Sequence, residues 1–420
     1  VNEPDVNLRE LLDRAAGEPP RWVNLDAVHR HAIRRRAARA GFASLAIIVA
    51  AALGATLSSG ALGTGRPGPA PGAHQNHAGP PPFYIAADSG PKFGERSLVV
   101  RDTATGRITA VIRDPKPGLN CGGSFAAAGT DTFFMTCTIW KLTGSGSHSR
   151  VKHIESLIYR FQLTGSGRIS GLSLVKDADL NGLLTTGLAA SADGSTIAVE
   201  VMRPDPLTKQ LYTNGVISGI YLINTKTGQK AFWHTGPYRH GAIQYAYGSD
   251  LSLTRDGSEL VVAESRCPRT RYLVNCNGTE GLQVRAYSPA GRGGSLEKGQ
   301  ILLTRSDLSP ARTNLSGTFV SPDGSALTSI LNTCAFRKKC TWRVATISVA
   351  THRITHVLFE NQQGTQFNAI AEQIYCIDPS GRYVIFGLAE RQKGTAGWIR
   401  DGKLVKIPPA GDLNITYQAW

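Results

Sequence analysis

Beyond residue 82 the chain alternates short apolar runs with Asp- and Gly-containing turns, and one arrangement keeps returning. GLAASADGSTIAVEV (187–201), LSLTRDGSELVVAES (251–265), GTFVSPDGSALTSIL (317–331) and QIYCIDPSGRYVIFG (373–387) each read as strand, tight turn, strand. SFAAAGTDTFFMTC (124–137) is a looser copy. The turn glycines Gly129, Gly194, Gly257, Gly324 and Gly381 follow one another at 65, 63, 67 and 57 residues. A second hairpin follows each of these, as in SLIYRFQLTGSGRIS (156–170), GIYLINTKTGQKAFW (219–233) and WRVATISVATHRIT (342–355). The unit therefore has four strands, A to D, with Gly and Asp at the A–B and C–D turns because tight hairpins need positive φ.

One four-stranded sheet cannot cover both its apolar faces, so the units must pack on each other, and radial closure does this while protecting their edges. Six units can be counted. The first, PFYIAA (82–87) with SLVVRDTATGRITAVI (97–112), lacks its strand A, whereas DLNITYQAW (412–420) is a strand without a unit. The expected solution is a ring closed by the C-terminal strand. The predicted fold is all-β, a six-bladed β-propeller of four-stranded antiparallel blades over residues 82–420.

The first eighty residues follow another pattern. Leu8, Leu11, Leu12, Ala15 and Ala16 fall at helical spacing between Asn7 and the Gly17/Pro19 stop. Ten residues do not hold a helix alone in water, so this stripe expects a partner, and Leu8, Leu11 and Leu12 are its candidate docking residues. A second helical run from Asn24 leads into Arg30, Arg34, Arg35, Arg36 and Arg39, after which positions 40–65 carry no charge. The segment 40–62 would span about 34 Å as a helix, enough for a bilayer core of about 30 Å. The arginines before it orient the N-terminus to the cytoplasm. The expected organisation is a helical cytoplasmic tail (1–39), a transmembrane signal anchor (40–63), a Pro/Gly-rich linker (64–81) and an extracytoplasmic propeller. Small residues around 57–61 also leave cleavage open, and a buried Ala-rich core helix is the remaining reading.

Composition agrees with a β-rich outer region: 46 Gly and only 18% charged residues. All seven cysteines lie beyond the apolar run, where pairing is chemically permitted. Cys121 and Cys137 are equidistant from Gly129, so an A–B hairpin sets them opposite each other. Cys267 with Cys276 and Cys334 with Cys340 would each close a B–C loop, leaving Cys376 as a buried thiol, though other pairings are possible in principle.

The formal charge is +15. In the six stretches read as B–C loops (88–97, 137–153, 202–218, 264–276, 334–340 and 389–398), Lys and Arg outnumber Asp and Glu by ten. Arg266, Arg269 and Arg271, with Arg337, Lys338 and Lys339, form the densest part and define a candidate basic binding face. Such a face recruits polyanions, anionic headgroups or an acidic protein, or simply keeps the protein soluble. Nucleic acid is not expected, because this region is placed outside the cell.

Catalytic signals are weak. No HExxH or GxSxG occurs, and GTGRPG (63–68) lies in the linker rather than after a strand. Asp177, Asp179 and Asn181 have calcium-loop spacing, but Leu188 stands where the closing Glu belongs. His352 and His356, read as sharing a strand face, lack carboxylate partners. No catalytic residue, cofactor or metal site is assigned.

Two resemblances add to this reading. The tail, with LRELL and LDAV leading into arginines, resembles the N-terminal tails of actinobacterial membrane proteins, some of which look like partners of alternative sigma factors. No cysteine or zinc motif accompanies it. The repeat units resemble the blades of TolB-like and WD-repeat-like proteins, through SPDG at 321–324 and DTATG at 102–106, with Asn224 replacing the Asp in a third copy. That resemblance implies a propeller, a fold hosting many functions. Lactonase-type propellers place Glu, Asp and Asn around a central metal, whereas the inner strands here begin almost without carboxylates. The expected function is a non-enzymatic binding or scaffold module, possible sensing running through the tail. An exported hydrolase or lyase using the central pocket is the alternative.

Overall fold

The computed structural model describes residues 79–419 apart from 90–95, 144–149, 204–215, 236–242, 246–249, 269–281, 290–292, 309–312, 335–338, 366–370, 379–380, 391–392 and 409–414. The predicted tail, anchor and most of the linker, with Leu8, Leu11 and Leu12, lie outside the described residues. No helix among the described residues is long and apolar enough to cross a membrane.

Six antiparallel blades form in chain order. Blade 1 holds β1 (Phe83–Ser89), β2 (Arg96–Asp102) and β3 (Ile108–Ile112). Blade 2 holds β4 (Asn120–Ala128), β5 (Thr132–Thr143), β6 (Arg150–Leu163) and β7 (Ile169–Leu174), with the short β8 (Leu180–Asn181) added to β6. Blade 3 holds β9 (Leu184–Ala190), β10 (Thr196–Arg203), β11 (Val216–Asn224) and β12 (Lys230–His234). Blade 4 begins with an inner strand in two pieces, β13 (Ile243–Tyr245) and β14 (Asp250–Leu253). It continues through β15 (Leu260–Pro268) and β16 (Leu282–Tyr287); then β17 (Gly293–Ser295) precedes its outer strand β18 (Gln300–Thr304). Blade 5 is β19 (Thr313–Val320), β20 (Ala326–Cys334), β21 (Lys339–Ser348) and β22 (Ile354–Thr365). Blade 6 is β23 (Ala371–Ile377), β24 (Val384–Glu390), β25 (Lys393–Arg400) and β26 (Lys403–Lys406). The last strand, β27 (Ile415–Ala419), pairs antiparallel with β1 and supplies the missing inner strand of blade 1. The closure expected from the orphan C-terminal strand is thus the one observed.

Alternation along the middle strands builds the core. In β5, Phe133, Met135 and Cys137 face the cluster shared by blades 1 and 2, while Phe134 packs with Val199 and Val201 of blade 3. In β15, Leu260 and Val262 belong to the blade 3–4 cluster, whereas Val261 and Ala263 belong to that of blades 4 and 5. Two further clusters join blades 5 and 6, and blades 6 and 1. Each sheet is apolar on both faces because each face meets a neighbour.

The turns interlock between blades. Gly129, Gly194, Gly257, Gly324 and Gly381 all have φ between 66° and 76°, as the hairpin reading requires. Space matters as well as φ: a Cβ on Gly257 would meet that of Ser191 at 3.0 Å, and one on Gly381 would meet Pro322 Cδ at 2.8 Å. The backbone amide of Ala192 donates to Arg255 O at 3.0 Å, and that of Arg255 donates to Pro322 O at 2.9 Å, carrying the contact from blade 3 to blade 5.

Candidate binding faces

On the turn face, three neighbouring A–B turns present the same acidic motif. In blade 5, Asp323 Oδ1 accepts from the hydroxyls of Ser321 at 2.6 Å and Ser325 at 2.9 Å, and from the Ser325 amide at 3.1 Å. The two hydroxyls and that amide hold its carboxyl at about 2, well below the usual carboxylate range. Asp256 is lowered by the amide and hydroxyl of Ser258 and the hydroxyl of Thr254. For Asp193, burial opposes ionisation, but the amide of Ser195, the hydroxyls of Ser191 and Ser195, and Lys226 outweigh it. Hydrogen bonds within their own turns hold all three carboxylates, with Lys226 of the neighbouring C–D turn adding to Asp193.

The inner strands show what sequence reading missed. A register shift interrupts β4 between Cys121 and Phe125, β9 beside Thr186, β19 at Gly317–Thr318, β23 at Tyr375 and β27 at Gln418. Around these bulges buried polar groups pair with one another. Thr318 and Ser329 share a hydroxyl hydrogen bond of 2.9 Å, and the Ser124 amide donates to Thr136 Oγ1 at 2.9 Å. Thr138 bonds Ser156 at 3.1 Å, and Ser156 donates onward to Leu183 O at 2.8 Å. The hydroxyl of Thr186 donates to Glu200 Oε2 at 2.6 Å, within the blade 3 sheet. All but the bond to Leu183 O tie polar side chains of the described strands to their own sheets. Among the described residues no group of three or more His, Cys, Asp or Glu is placed to hold a metal.

The opposite face departs from the expected loop boundaries. Strands β5 and β6 remain paired to Thr143 opposite Arg150, so Lys141, Arg150 and Lys152 sit on a long hairpin rather than in a loop 137–153. The stretch 389–398 is also mostly strand, paired to Glu390 opposite Lys393. Arg266 and Lys339 lie in β15 and β21, whereas Arg269, Arg271, Arg337 and Lys338 lie outside the described residues.

Cys121 and Cys137 form the expected disulfide, buried in the blade 1–2 cluster. The backbone register sets Cys334 directly opposite Cys340. Cys267 lies in β15, paired with Gln244 of β13, and Cys276 lies outside the described residues. Cys376 is a buried free thiol, its pKa pushed up by burial and by Asp378.

Two weaker sequence signals resolve into structural contacts. Asp179 meets Lys230 of the next blade at 3.6 Å and accepts from Asn181 at 3.3 Å, so the calcium-like spacing belongs to a blade connection. His352 is not on a strand with His356: it occupies the C–D turn with φ 55° and lies 3.6 Å from Asp307. Between blades 3 and 4 a cleft of about 300 Å³ is lined by Trp233, Tyr287, Glu259, Lys298 and the Gly293–Ser295 strand. The hydroxyl of Tyr287 donates to Leu296 O at 2.7 Å, and burial raises the pKa of Glu259.

No protein-family model matches the chain, and no curated protein matches it. Solved structures similar to it are propellers. TolB from Acinetobacter baumannii aligns with TM-score 0.45 and 13% identity over 80% of this chain and 66% of that one. The Cps50 (Swd1) β-propeller domain from Myceliophteria thermophila aligns at 0.39 and 10%, covering 77% of this chain and 82% of that one. Oligogalacturonate lyase from Vibrio parahaemolyticus aligns at 0.39 and 12%, covering 69% and 68%. The fold itself is established by the six sheets and the pairing of β27 with β1: the chain is a six-bladed β-propeller.

Proposed function

We propose that this protein is a single-pass, membrane-anchored component of the cell envelope whose extracytoplasmic propeller is a non-enzymatic binding or scaffold module. The observation that carries the reading is the inner strands, where Thr318 with Ser329, the Ser124 amide with Thr136, and Thr186 with Glu200 each bond to the neighbouring strand of their own sheet. Polar groups committed in this way stabilise a scaffold rather than poise a reaction. The uncharged run 40–65 behind five arginines supports the anchor and the orientation. The basic stretches RCPRTR (266–271) and FRKK (336–339) support a polyanionic or acidic ligand on the face opposite the turns.

The test is retention of the full chain on an anionic matrix. Arg337→Glu, Lys338→Glu and Lys339→Glu together should lower the eluting salt concentration clearly, while Lys226→Glu on the turn face should not. Equal elution of both variants and the parent overturns the basic-face reading. The tail is tested separately by capture on residues 1–40. A cytoplasmic protein retained by the parent tail, and lost when Leu8, Leu11 and Leu12 become Ala, supports coupling, and equal capture removes it.

A further inference from the structure

Six large apolar side chains are strongly exposed among the described residues, all on outermost strands: Ile301 on β18 and Ile354 on β22 stand singly, whereas the other four fall in pairs on the adjacent blades 1 and 2. Ile108 and Val111 on β3 are 44% and 52% exposed, and Leu172 and Leu174 on β7 are 39% and 47% exposed. These blades are tied at the rim, where Thr109 Oγ1 donates to Gly167 O at 3.0 Å.

An outer strand normally guards its free edge with charge or a cover. β26 follows that rule with Lys403 and Lys406, and β12 is covered by β17 in a parallel pair. β3 (ITAVI) and β7 (ISGLSL) contain no charged residue at all. Their charges stand at the ends instead. Arg107 precedes β3, and Arg113 and Lys116 follow it; Arg168 precedes β7, and Lys176 follows it. All five are exposed, against the exposed acids Asp114 and Asp177. Apolar side chains bracketed by bases have the chemistry of a bilayer interface, where the former enter the headgroup region and the latter meet anionic lipids.

The route of the chain selects the same rim. Thr103, in the turn leading to β3, donates its amide to Pro82 O at 2.8 Å and its hydroxyl to Pro81 O at 2.7 Å. The polypeptide arriving from the apolar run 40–65 is therefore fastened four residues before Arg107.

We infer that the outer rim of blades 1 and 2 rests on the anionic surface of the membrane, so that the propeller lies on its side instead of standing free on its linker. This builds on the anchored reading above, and the experiment separates the two. The full chain is placed in vesicles of phosphatidylcholine alone, or of phosphatidylcholine with phosphatidylglycerol, and amide exchange is followed. Resistance to alkaline carbonate reports the anchor independently.

With anionic lipid, amides of Ile108–Val111 and Ser170–Leu174 should exchange at least about threefold more slowly than in neutral vesicles or detergent. Core strand β5 should be unchanged, which also reports intact folding. Ile108→Ser with Val111→Ser, Leu172→Ser and Leu174→Ser should abolish the difference without affecting carbonate resistance. Arg107→Ser and Arg168→Ser should each reduce protection by up to about fivefold, the equivalent of about 1 kcal/mol per cation at an anionic surface. Equal exchange in all three environments overturns the inference while the anchor stands. Extraction by carbonate with lipid-dependent protection retained overturns the anchor while the inference stands. Protection that follows protein concentration in detergent means a second copy covers the rim, and also overturns it.

Discussion

The hydroxyl of Tyr84 donates to the carbonyl oxygen of Pro408 at 3.0 Å, joining the first blade to the end of the last across 324 residues. Gly106 lies at the same seam. It has φ 70°, and a Cβ built on it would fall 2.0 Å from that carbonyl oxygen. Ring closure therefore rests on this contact as well as on β27.

Closing the seam has measurable parts. Tyr84→Phe should cost about 1 kcal/mol, the worth of one partly buried hydrogen bond. Gly402 has φ 73° and open space around it, so Gly402→Ala should cost about 1–2 kcal/mol from backbone strain alone. Gly106→Ala adds a collision with backbone and should exceed about 3 kcal/mol. Urea midpoints of the three variants check the order. Equal losses at Gly106 and Gly402 would mean that the seam opens without cost.

Acid should loosen the turn face in a defined window. The carboxyl of Asp323 is lowered from 3.8 to about 2 in the folded protein. A depressed folded pKa gives stability that is present above the unfolded value and lost as pH falls through the folded one. The loss attributable to Asp323 thus runs between pH 3.8 and about 2. The group is exposed, so screening limits the effect to a few tenths up to about 1 kcal/mol. Asp323→Asn should lower the melting temperature at pH 7 and converge with the parent near pH 2. A constant offset across the range would exclude the linkage.

Thiol counting distinguishes the cysteine arrangements. Burial raises the Cys376 pKa and hides the sulfur, so the folded chain should not alkylate there on the timescale of an exposed thiol. In denaturant without reductant, the three expected bridges leave one reactive thiol of the seven. Five reactive thiols would mean that Cys121–Cys137 is the sole bridge. Mass spectrometry of the alkylated chain gives the count.

Much of the ring was legible because its turns demand particular residues. Gly194 and Gly324 occupy positions that need positive φ, and such positions leave a spacing in the sequence. The closing strand was legible because 412–420 alternates without a partner of its own. The limits of the middle strands were less so. TFFMTCTIWKLT continues as β5 past Cys137, while the turn signal, GSGSHS, comes only at 144–149. The bulges at Thr186 and Tyr375 had no signature, since their strands, LTTGLAA and AEQIYCI, carry no strict apolar–polar alternation for an extra residue to break. Nor did GGS at 293–295 announce a parallel strand on β12, because backbone alone makes that pair. His352 took a positive φ through the demands of its turn, where its neighbour His356 had led to a strand reading.

The hydrogen bond between Thr186 and Glu200 tests whether the inner ring is scaffold or site. Thr186 is the extra residue of the β9 bulge, and its hydroxyl reaches the fully buried Glu200 at 2.6 Å. Removing one partner from a buried polar pair costs more than the bond contributes, because the remaining group stays desolvated. Thr186→Val should therefore lose about 1–3 kcal/mol, and Thr186→Ser, which keeps the hydroxyl, should recover most of it. In a scaffold both variants retain the parent's elution from the anionic matrix, measured below their unfolding midpoints. If Thr186→Val unfolds like the parent but changes retention, Glu200 is part of a binding site and the ring is more than support.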